Sequence, residues 1–259
     1  MKRLIIELTN HCNANCLFCS NQNIKPKGFM DFDLFKSIID DFPEVKQVEP
    51  GWFGEGSLHP QFYEMLEYMK ERSKDILIYT NASIDPVRLA DIEPLQVVFS
   101  IEADNKELHE KIRRGLKWET VYNNIMEFQR LKKRTRTVVR MTVTDENRNR
   151  ISEIKKFWIK RVDVVSAYNE HSAGRDVGGC YREIKTCSKP DDFMVIAWNG
   201  DCIICCTDYN RSVVLGNVKD GARKIWDEGA RQRESIRNGE MLDICKHCGF
   251  THSAYLKRA

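Results

Sequence analysis

Three cysteines in the stretch TNHCNANCLFCSN, at Cys12, Cys16 and Cys19, have types and spacing that suggest chemistry before any fold is considered. The spacing C-x3-C-x2-C lets three thiolates wrap one soft-metal centre and leaves one coordination position without a protein ligand. Structural zinc takes four ligands, and the nearest fourth donor is His11. His11 and Cys12 are adjacent, however, and neighbouring residues reach one tetrahedral ion with difficulty. Asn10, Asn13, Asn15 and Asn21 surround the thiols with polar side chains, which speaks against plain core packing. A second group comprises Cys180, Cys187, Cys202, Cys205, Cys206, Cys245 and Cys248. It runs as C-x12-G-x4-C from Cys187 through Gly200 to Cys205 and ends in CKHC. Two hairpin cysteines plus C-x2-C also describe a zinc site with four thiolates, so spacing alone leaves both metals open.

The elements that must position these thiols alternate. Short apolar runs at 3–8, 45–53, 76–82, 97–103, 137–144 and 162–168 read as strands, the second weakened by Pro50 and Gly51. Helix patterns lie between them. DFDLFKSIIDDF has a capping aspartate at Asp31 or Asp33 and aligns Leu34, Phe35, Ile38 and Ile39. PQFYEMLEYMKERS puts Pro60 in a first turn and aligns Phe62, Met65, Leu66 and Met69. Such alternation predicts an α/β fold with parallel strands and right-handed crossovers, a partial (β/α)6 TIM-like barrel. Functional residues should gather at the C-terminal ends of its strands. Near residue 170 the character changes, and FMVIAWNGDCIICC reads as a hairpin with a turn at Asn199–Gly200. A helix around 222–236 follows. These signals place a barrel over 1–171 and a small cysteine-rich hairpin-plus-helix module over 172–259.

Composition narrows the classes. The 259 residues carry 41 basic and 38 acidic side chains, a net charge of +3, and 42% hydrophobic residues. That balance gives no general push towards nucleic acid or anionic lipid. LKKRTR at 131–136 reads as an exposed helix end. No apolar run approaches the roughly 20 residues of a membrane span. MKRLIIELTNHC turns polar too soon for a secretory signal, so a cytoplasmic setting with reduced thiols is expected.

With these elements in view, CNANCLFC resembles the signature of the radical S-adenosylmethionine (radical SAM) enzymes, C-x3-C-x-aromatic-C, with Phe18 in the aromatic slot. The resemblance implies that Cys12, Cys16 and Cys19 hold a 4Fe-4S cluster. Its open iron would be chelated by the amino and carboxylate groups of S-adenosylmethionine. One electron, from a flavodoxin- or ferredoxin-type donor, would then cleave the sulfonium to a 5′-deoxyadenosyl radical that abstracts hydrogen from substrate. WFGEGSLHP is similar to the family's Gly-Gly-Glu-Pro segment, which receives the methionyl amino group. Gly54 and Glu55 match it, Phe53 replaces the first glycine, and Gly56 stands where proline is common. YTNA contributes Thr80 and Asn81 after the third strand, and FSIEA contributes Ser100 and Glu102 at the fourth. Those two residues are expected on the ribose or methionyl carboxylate side. EKIRRG matches the family's arginine–glycine stretch, with Arg113 the expected partner of a carboxylate.

The later succession, with LGNV, KIWDE and CKHC after the hairpin, resembles the SPASM and twitch auxiliary modules of that family. Only Cys245 and Cys248 remain after the hairpin, which implies one auxiliary 4Fe-4S cluster rather than two. Its ligands would be Cys187, Cys205, Cys245 and Cys248, with Cys206 in reserve. Full ligation would make it an electron carrier. Cys202 should point to the opposite strand face from Cys205, and Cys180 and Cys202 are expected to be buried or incidental.

Chain length and a single auxiliary cluster resemble family members that oxidise a secondary alcohol of an aminocyclitol. This implies a two-electron oxidation of a small polar, sugar- or aminocyclitol-like molecule with the auxiliary cluster as electron acceptor. Other members with this module modify ribosomally made peptides, by crosslinking or side-chain oxidation. Many of these carry an additional N-terminal recognition domain, for which a first strand at residue 3 leaves no room. Substrate contacts are expected from Arg140, Thr142, Tyr168 and Asn169. Glu170 or His171 would take a proton, with Arg175 beside them. The competing class is a non-enzymatic zinc module on nucleic acid, disfavoured because basic residues are scattered rather than striped.

Overall fold

The computed structural model describes residues 1–169, 186–246 and 248, with Asn169 and Lys246 as backbone only. The barrel strands are β1 (Arg3–Ile6), β3 (Gln47–Glu49), β4 (Asp75–Thr80), β5 (Gln96–Ser100), β7 (Arg136–Val143) and β8 (Val164–Asn169). Two two-residue strands, β2 (Asn15–Cys16) and β6 (Arg113–Arg114), pair antiparallel beside them. Helices α1 (Phe32–Asp41), α2 (Phe62–Glu71), α3 (Pro86–Ile92), α4 (Lys106–Ile112), α5 (Trp118–Leu131) and α6 (Ile151–Trp158) fill the crossovers. The C-terminal part contributes α7 (Lys189–Asp192), β9 (Phe193–Ile196), β10 (Asp201–Ile203), β11 (Val214–Asn217), α8 (Ala222–Glu228), α9 (Ala230–Arg237) and α10 (Asp243–Lys246).

The six barrel strands run parallel in the order β1-β3-β4-β5-β7-β8, as the periodicity predicts. Of the run at 45–53 only Gln47–Glu49 pairs, because Pro50 has no N–H to donate to a ladder. The hairpin does not stand apart. β9 pairs in parallel with β1, from Arg3↔Phe193 to Ile6↔Ile196, so one sheet of nine strands continues through β10 and β11. The hairpin loop is one residue longer than the expected turn. The Ala197 N–H donates to Asp201 O, the Gly200 N–H donates to Ala197 O, and Gly200 follows Trp198 and Asn199 at φ +92°. The helix expected around 222–236 is two helices, α8 and α9, that meet at Gly229. The proposed boundary at 171/172 lies outside the described residues.

Local chemistry accounts for the helices. Asp31 caps α1 by accepting the Leu34 N–H at 2.9 Å, and Asp85 caps α3, whose first residue is Pro86. Helix α1 buries Phe35, Ile38 and Ile39, and α2 buries Phe62, Met65, Leu66 and Met69. Each such side chain contributes on the order of 2 kcal/mol through burial. Alternation along the strands then separates two environments. Leu4, Ile6 and Leu8 join the main core under the helices, whereas Ile5 packs inward with Val195 and Ile203. By the same period the inner face carries Arg3 and Glu7 of the first strand, Glu49, Tyr79, Ser100, Glu102, Arg140, Thr142 and Tyr168. The barrel interior therefore carries these polar groups beside the apolar cluster of Ile5, Val195 and Ile203. Among the described residues, no helix is long and apolar enough to cross a membrane.

Candidate functional site

The loop carrying Cys12, Cys16 and Cys19 leaves the C-terminal end of β1 and is held by backbone on both sides. Asn10 donates to Pro26 O at 2.9 Å and accepts the Gly28 N–H at 2.9 Å. Lys27 Nζ donates to Asn10 O at 2.9 Å and to Asn21 O and Oδ1, each at 2.7 Å. Cys16 sits in β2 opposite Arg113, and Leu17 N–H donates to Ile112 O at 3.0 Å. Arg113 Nη1 approaches Cys16 Sγ at 3.6 Å, and its guanidinium lies 5.6 Å from the Phe18 ring centre. Burial pushes the Cys16 thiol up to about 12 and raises Cys12 as well, with Arg113 working in the opposite direction. The three sulfurs lie within electrostatic reach of one another. Thiols crowded together in a place that resists their ionisation fit a cationic body that binds thiolates.

Around this triad stand the ends of three strands. Glu55 is buried and accepts from Ser57 Oγ at 2.7 Å, Thr80 Oγ1 at 2.9 Å and the Asn81 N–H at 2.7 Å. Asn81 Nδ2 in turn donates to Asn13 Oδ1 at 2.9 Å, tying the YTNA turn to the cysteine loop. Gly54 is where the two loops touch. A Cβ there would lie 2.5 Å from Thr9 O and 2.7 Å from His11 O. Gly54→Ala is accordingly expected to cost about 1–3 kcal/mol through overpacking. It should also lower iron retention at the first triad; an unchanged urea midpoint with full iron content would refute the close-approach account.

Arg113 and Glu102, both expected to face the cofactor, are paired with each other. Arg113 Nε donates to Glu102 Oε2 and Nη2 donates to Oε1 at 2.9 Å. The Thr142 N–H donates to Glu102 Oε1 at 3.3 Å. Ser100 ends β5 opposite Arg140 in the register. Arg140 Nη1 donates to Tyr79 Oη at 3.1 Å, and its guanidinium lies 4.8 Å from the Tyr168 ring centre, while its Nε is buried without a partner among the described residues. Asn169 closes β8 opposite Val143. Glu170, His171, Arg175 and Cys180 fall outside the described residues.

Sequence reasoning missed several groups on this inner face: Glu7, Glu49, Tyr79, Trp52, Tyr209 and Arg211. Arg211 Nη2 donates to Glu7 Oε2 at 2.6 Å. Tyr209 stacks on Trp52 at 5.8 Å and on Phe53 at 4.6 Å, and Trp52 Nε1 donates to Cys206 O at 2.8 Å. Phe53, which replaces the first glycine of the Gly-Gly-Glu-Pro pattern, and its neighbour Trp52 thus pack against the C-terminal module. A usable signal for Glu7 and Glu49 was an acid inside or at the end of an otherwise apolar strand.

In the C-terminal module Cys187, Cys205, Cys245 and Cys248 line one cavity, with Pro190, Ile204, Ile236, Met241 and Ile244 as apolar walls. Burial raises Cys187 and pushes Cys245 up to about 11. Cys205 is held low by the hydrogen bond from the adjacent Cys206 thiol. Among the described residues no three His, Cys, Asp or Glu side chains converge closely enough for a single metal ion. Four thiols spread around a cavity suit a larger body. Cys202 points the other way, into the main core, and Cys206 packs against Ile5, Val195 and Ile203.

The Radical SAM superfamily profile matches residues 6–157, more than half of the chain. The chain belongs to the radical SAM superfamily. Residues 187–249 of this radical SAM protein match SPASM, an iron-sulfur cluster-binding domain. The two domains together carry 4Fe-4S clusters and use S-adenosylmethionine. A tungsten-containing aldehyde ferredoxin oxidoreductase cofactor-modifying protein of Pyrococcus furiosus is 40% identical over 88 residues, 32% of this chain and 25% of that protein. The match thus spans a quarter of that relative. An S-adenosyl-L-methionine-dependent 2-deoxy-scyllo-inosamine dehydrogenase of Niallia circulans is 21% identical over 257 residues, 94% of this chain and 90% of that one. Among solved structures, BtrN in complex with AdoMet and 2-DOIA shares the fold at TM-score 0.65 and 17% identity, covering 96% of this chain and 92% of BtrN. Streptococcus suis SuiB bound to its precursor peptide SuiA does so at TM-score 0.73 and 16% identity, covering 98% and 71%.

Proposed function

We propose that this radical SAM protein is a dehydrogenase-type oxidoreductase that removes two electrons from a secondary alcohol of a small polar, sugar- or aminocyclitol-like substrate. The observation that carries this reading is the polar group inside the barrel, where Glu49, Tyr79, Arg140 and Tyr168 face inward from four strands. Such groups offer donors and acceptors to hydroxyls and amines and would be stranded against an apolar side chain. Similarity to the inosamine dehydrogenase along nearly the whole of both chains supports the same class. When bound beside the cluster held by Cys12, Cys16 and Cys19, S-adenosylmethionine would supply hydrogen-atom abstraction through a 5′-deoxyadenosyl radical, with one electron from a flavodoxin- or ferredoxin-type donor.

The chain's own residues do the rest. Cys12, Cys16 and Cys19 hold the first cluster, with Phe18 as wall. Gly54 brings the Glu55 turn against that loop, and Glu55 sets the Thr80–Asn81 turn beside it. Glu102 fixes Arg113 against Cys16. Arg140, Tyr79 and Tyr168 bind substrate oxygens. Cys187, Cys205, Cys245 and Cys248 ligate the auxiliary cluster fully, which suits electron transfer rather than substrate binding. A cytoplasmic setting, where thiols stay reduced, belongs to the same reading.

The test is anaerobic incubation of iron-loaded protein with 2-deoxy-scyllo-inosamine deuterated at the carbinol carbon. Deuterated 5′-deoxyadenosine and a ketone are the expected products. Deuterium arriving from a labelled peptide, and none from the alcohol, would replace this reading with peptide maturation.

A further inference from the structure

We propose that Glu49 is the base that takes the hydroxyl proton of the substrate during this oxidation, an assignment that rests on the alcohol reading above. Among the described residues, the other acids near the site already have partners. Glu102 accepts two N–H groups of Arg113. Glu55 accepts from Ser57, Thr80 and Asn81. Glu7 accepts from Arg211 and, at 3.1 Å, from the Trp198 N–H, and its Oε1 is sealed from solvent.

Glu49 differs from these in keeping an unpartnered oxygen on a side chain that is not sealed from solvent. Arg3 Nη1 holds Oε2 at 3.1 Å, whereas Oε1 makes no hydrogen bond among the described residues and the side chain keeps 14% of its surface accessible. Glu49 is the last residue of β3, so it stands at the strand end where a barrel places its chemistry. Its charged and titratable neighbours are Arg3, Arg140, Tyr79, Tyr209 and Cys206. The Tyr209 phenol lies within electrostatic reach of Cys206, Cys205, Cys19 and Glu49 together. Tyr209 thus neighbours a thiol of each cysteine group, and Glu49 borders the same phenol. Burial pushes the Glu49 carboxyl up to about 7, with Arg3 and Arg140 pulling it down. A carboxylate in that range both accepts a proton and returns it to solvent at neutral pH.

The step balances as follows. The carbinol C–H bond breaks homolytically, and the hydrogen atom goes to the 5′-deoxyadenosyl carbon. The O–H bond of the resulting carbon radical then breaks, its proton goes to Glu49 Oε1, and the unpaired electron passes to an oxidised iron–sulfur cluster. The organic product is the ketone.

Glu49→Gln is expected to lower ketone formation by about 100-fold, the lower end for a lost general base. The ratio of deuterated 5′-deoxyadenosine to ketone should rise, because abstraction no longer leads on to product. Wild-type ketone formation should fall tenfold per pH unit below about 7, where the carboxyl is protonated. That limb should be missing from the residual activity of Glu49→Gln and partly restored in Glu49→Asp. In the as-isolated protein, without substrate, infrared difference spectra should show a carboxyl band titrating near 7 that Glu49→Gln lacks. A wild type that transfers no deuterium from the alcohol overturns the dehydrogenase reading and this role with it. A wild type that transfers deuterium, beside a Glu49→Gln variant of unchanged ketone yield and pH profile, overturns the role of Glu49 alone.

Discussion

A Cys16→Ala variant is expected to fall from about eight irons per chain to about four and to form no 5′-deoxyadenosine under reductant. Cys16 is 8% exposed and packs within the main core, so alanine leaves a small apolar gap rather than an unsatisfied polar group. Its backbone is fixed by the β2–β6 ladder independently of its sulfur. The fold should therefore persist while the first cluster is lost. Cys245→Ala is the reciprocal experiment, emptying the cavity shared with Cys187, Cys205 and Cys248 and leaving the first four irons in place. Iron and sulfide analysis with electron paramagnetic resonance reads both variants. Deuterium-free assays of 5′-deoxyadenosine suffice for the first. Cys16→Ala protein that keeps full iron, or still cleaves S-adenosylmethionine, would remove the triad assignment. Zinc in place of iron in Cys16→Ala protein would remove the auxiliary one.

The strand–helix alternation was legible because each element buries one face, and burial leaves a period in the residues. The triad was legible because three thiols at short spacing have few other uses. What the chain did not disclose in order of residues was how distant pieces meet. The parallel pairing of β9 with β1 joins residues 3–6 to 193–196, and a hairpin signal describes only the partner within the hairpin. Phe53 looked like a departure from a glycine-rich pattern until Tyr209 supplied the surface on which it and Trp52 stack. Glu7 and Glu49 were passed over for a related reason. An acid at a strand end usually faces water, and only the curl of the sheet turns that same position inward. The extra bulk in the WFGEG turn and the acids on the inner face belong together, since the C-terminal module covers both. It places Tyr209 on Trp52 and Phe53 and Arg211 on Glu7.

Breaking the Glu102–Arg113 pair on one side is expected to destabilise the protein by about 3–5 kcal/mol, because the remaining charge is buried alone. The two side chains are 1% and 8% exposed, so water cannot substitute for the missing partner. Glu102→Ala and Arg113→Ala should each show a loss of that size in urea midpoints. A double replacement by methionines should recover much of it, as apolar isosteres of buried pairs often do. Stability and cluster chemistry should then part company. The double variant regains packing but lacks the Arg113 N–H at 3.6 Å from Cys16 Sγ, and donors to cluster sulfurs raise the reduction potential. Its first cluster should be harder to reduce than wild type. Arg113→Lys keeps the charge and loses the planar fork, so it should hold stability better than alanine while shifting the potential in the same direction. Single variants costing less than about 1 kcal/mol would mean a solvated pair. A double variant of unchanged potential would leave Arg113 a packing residue with no hold on the cluster.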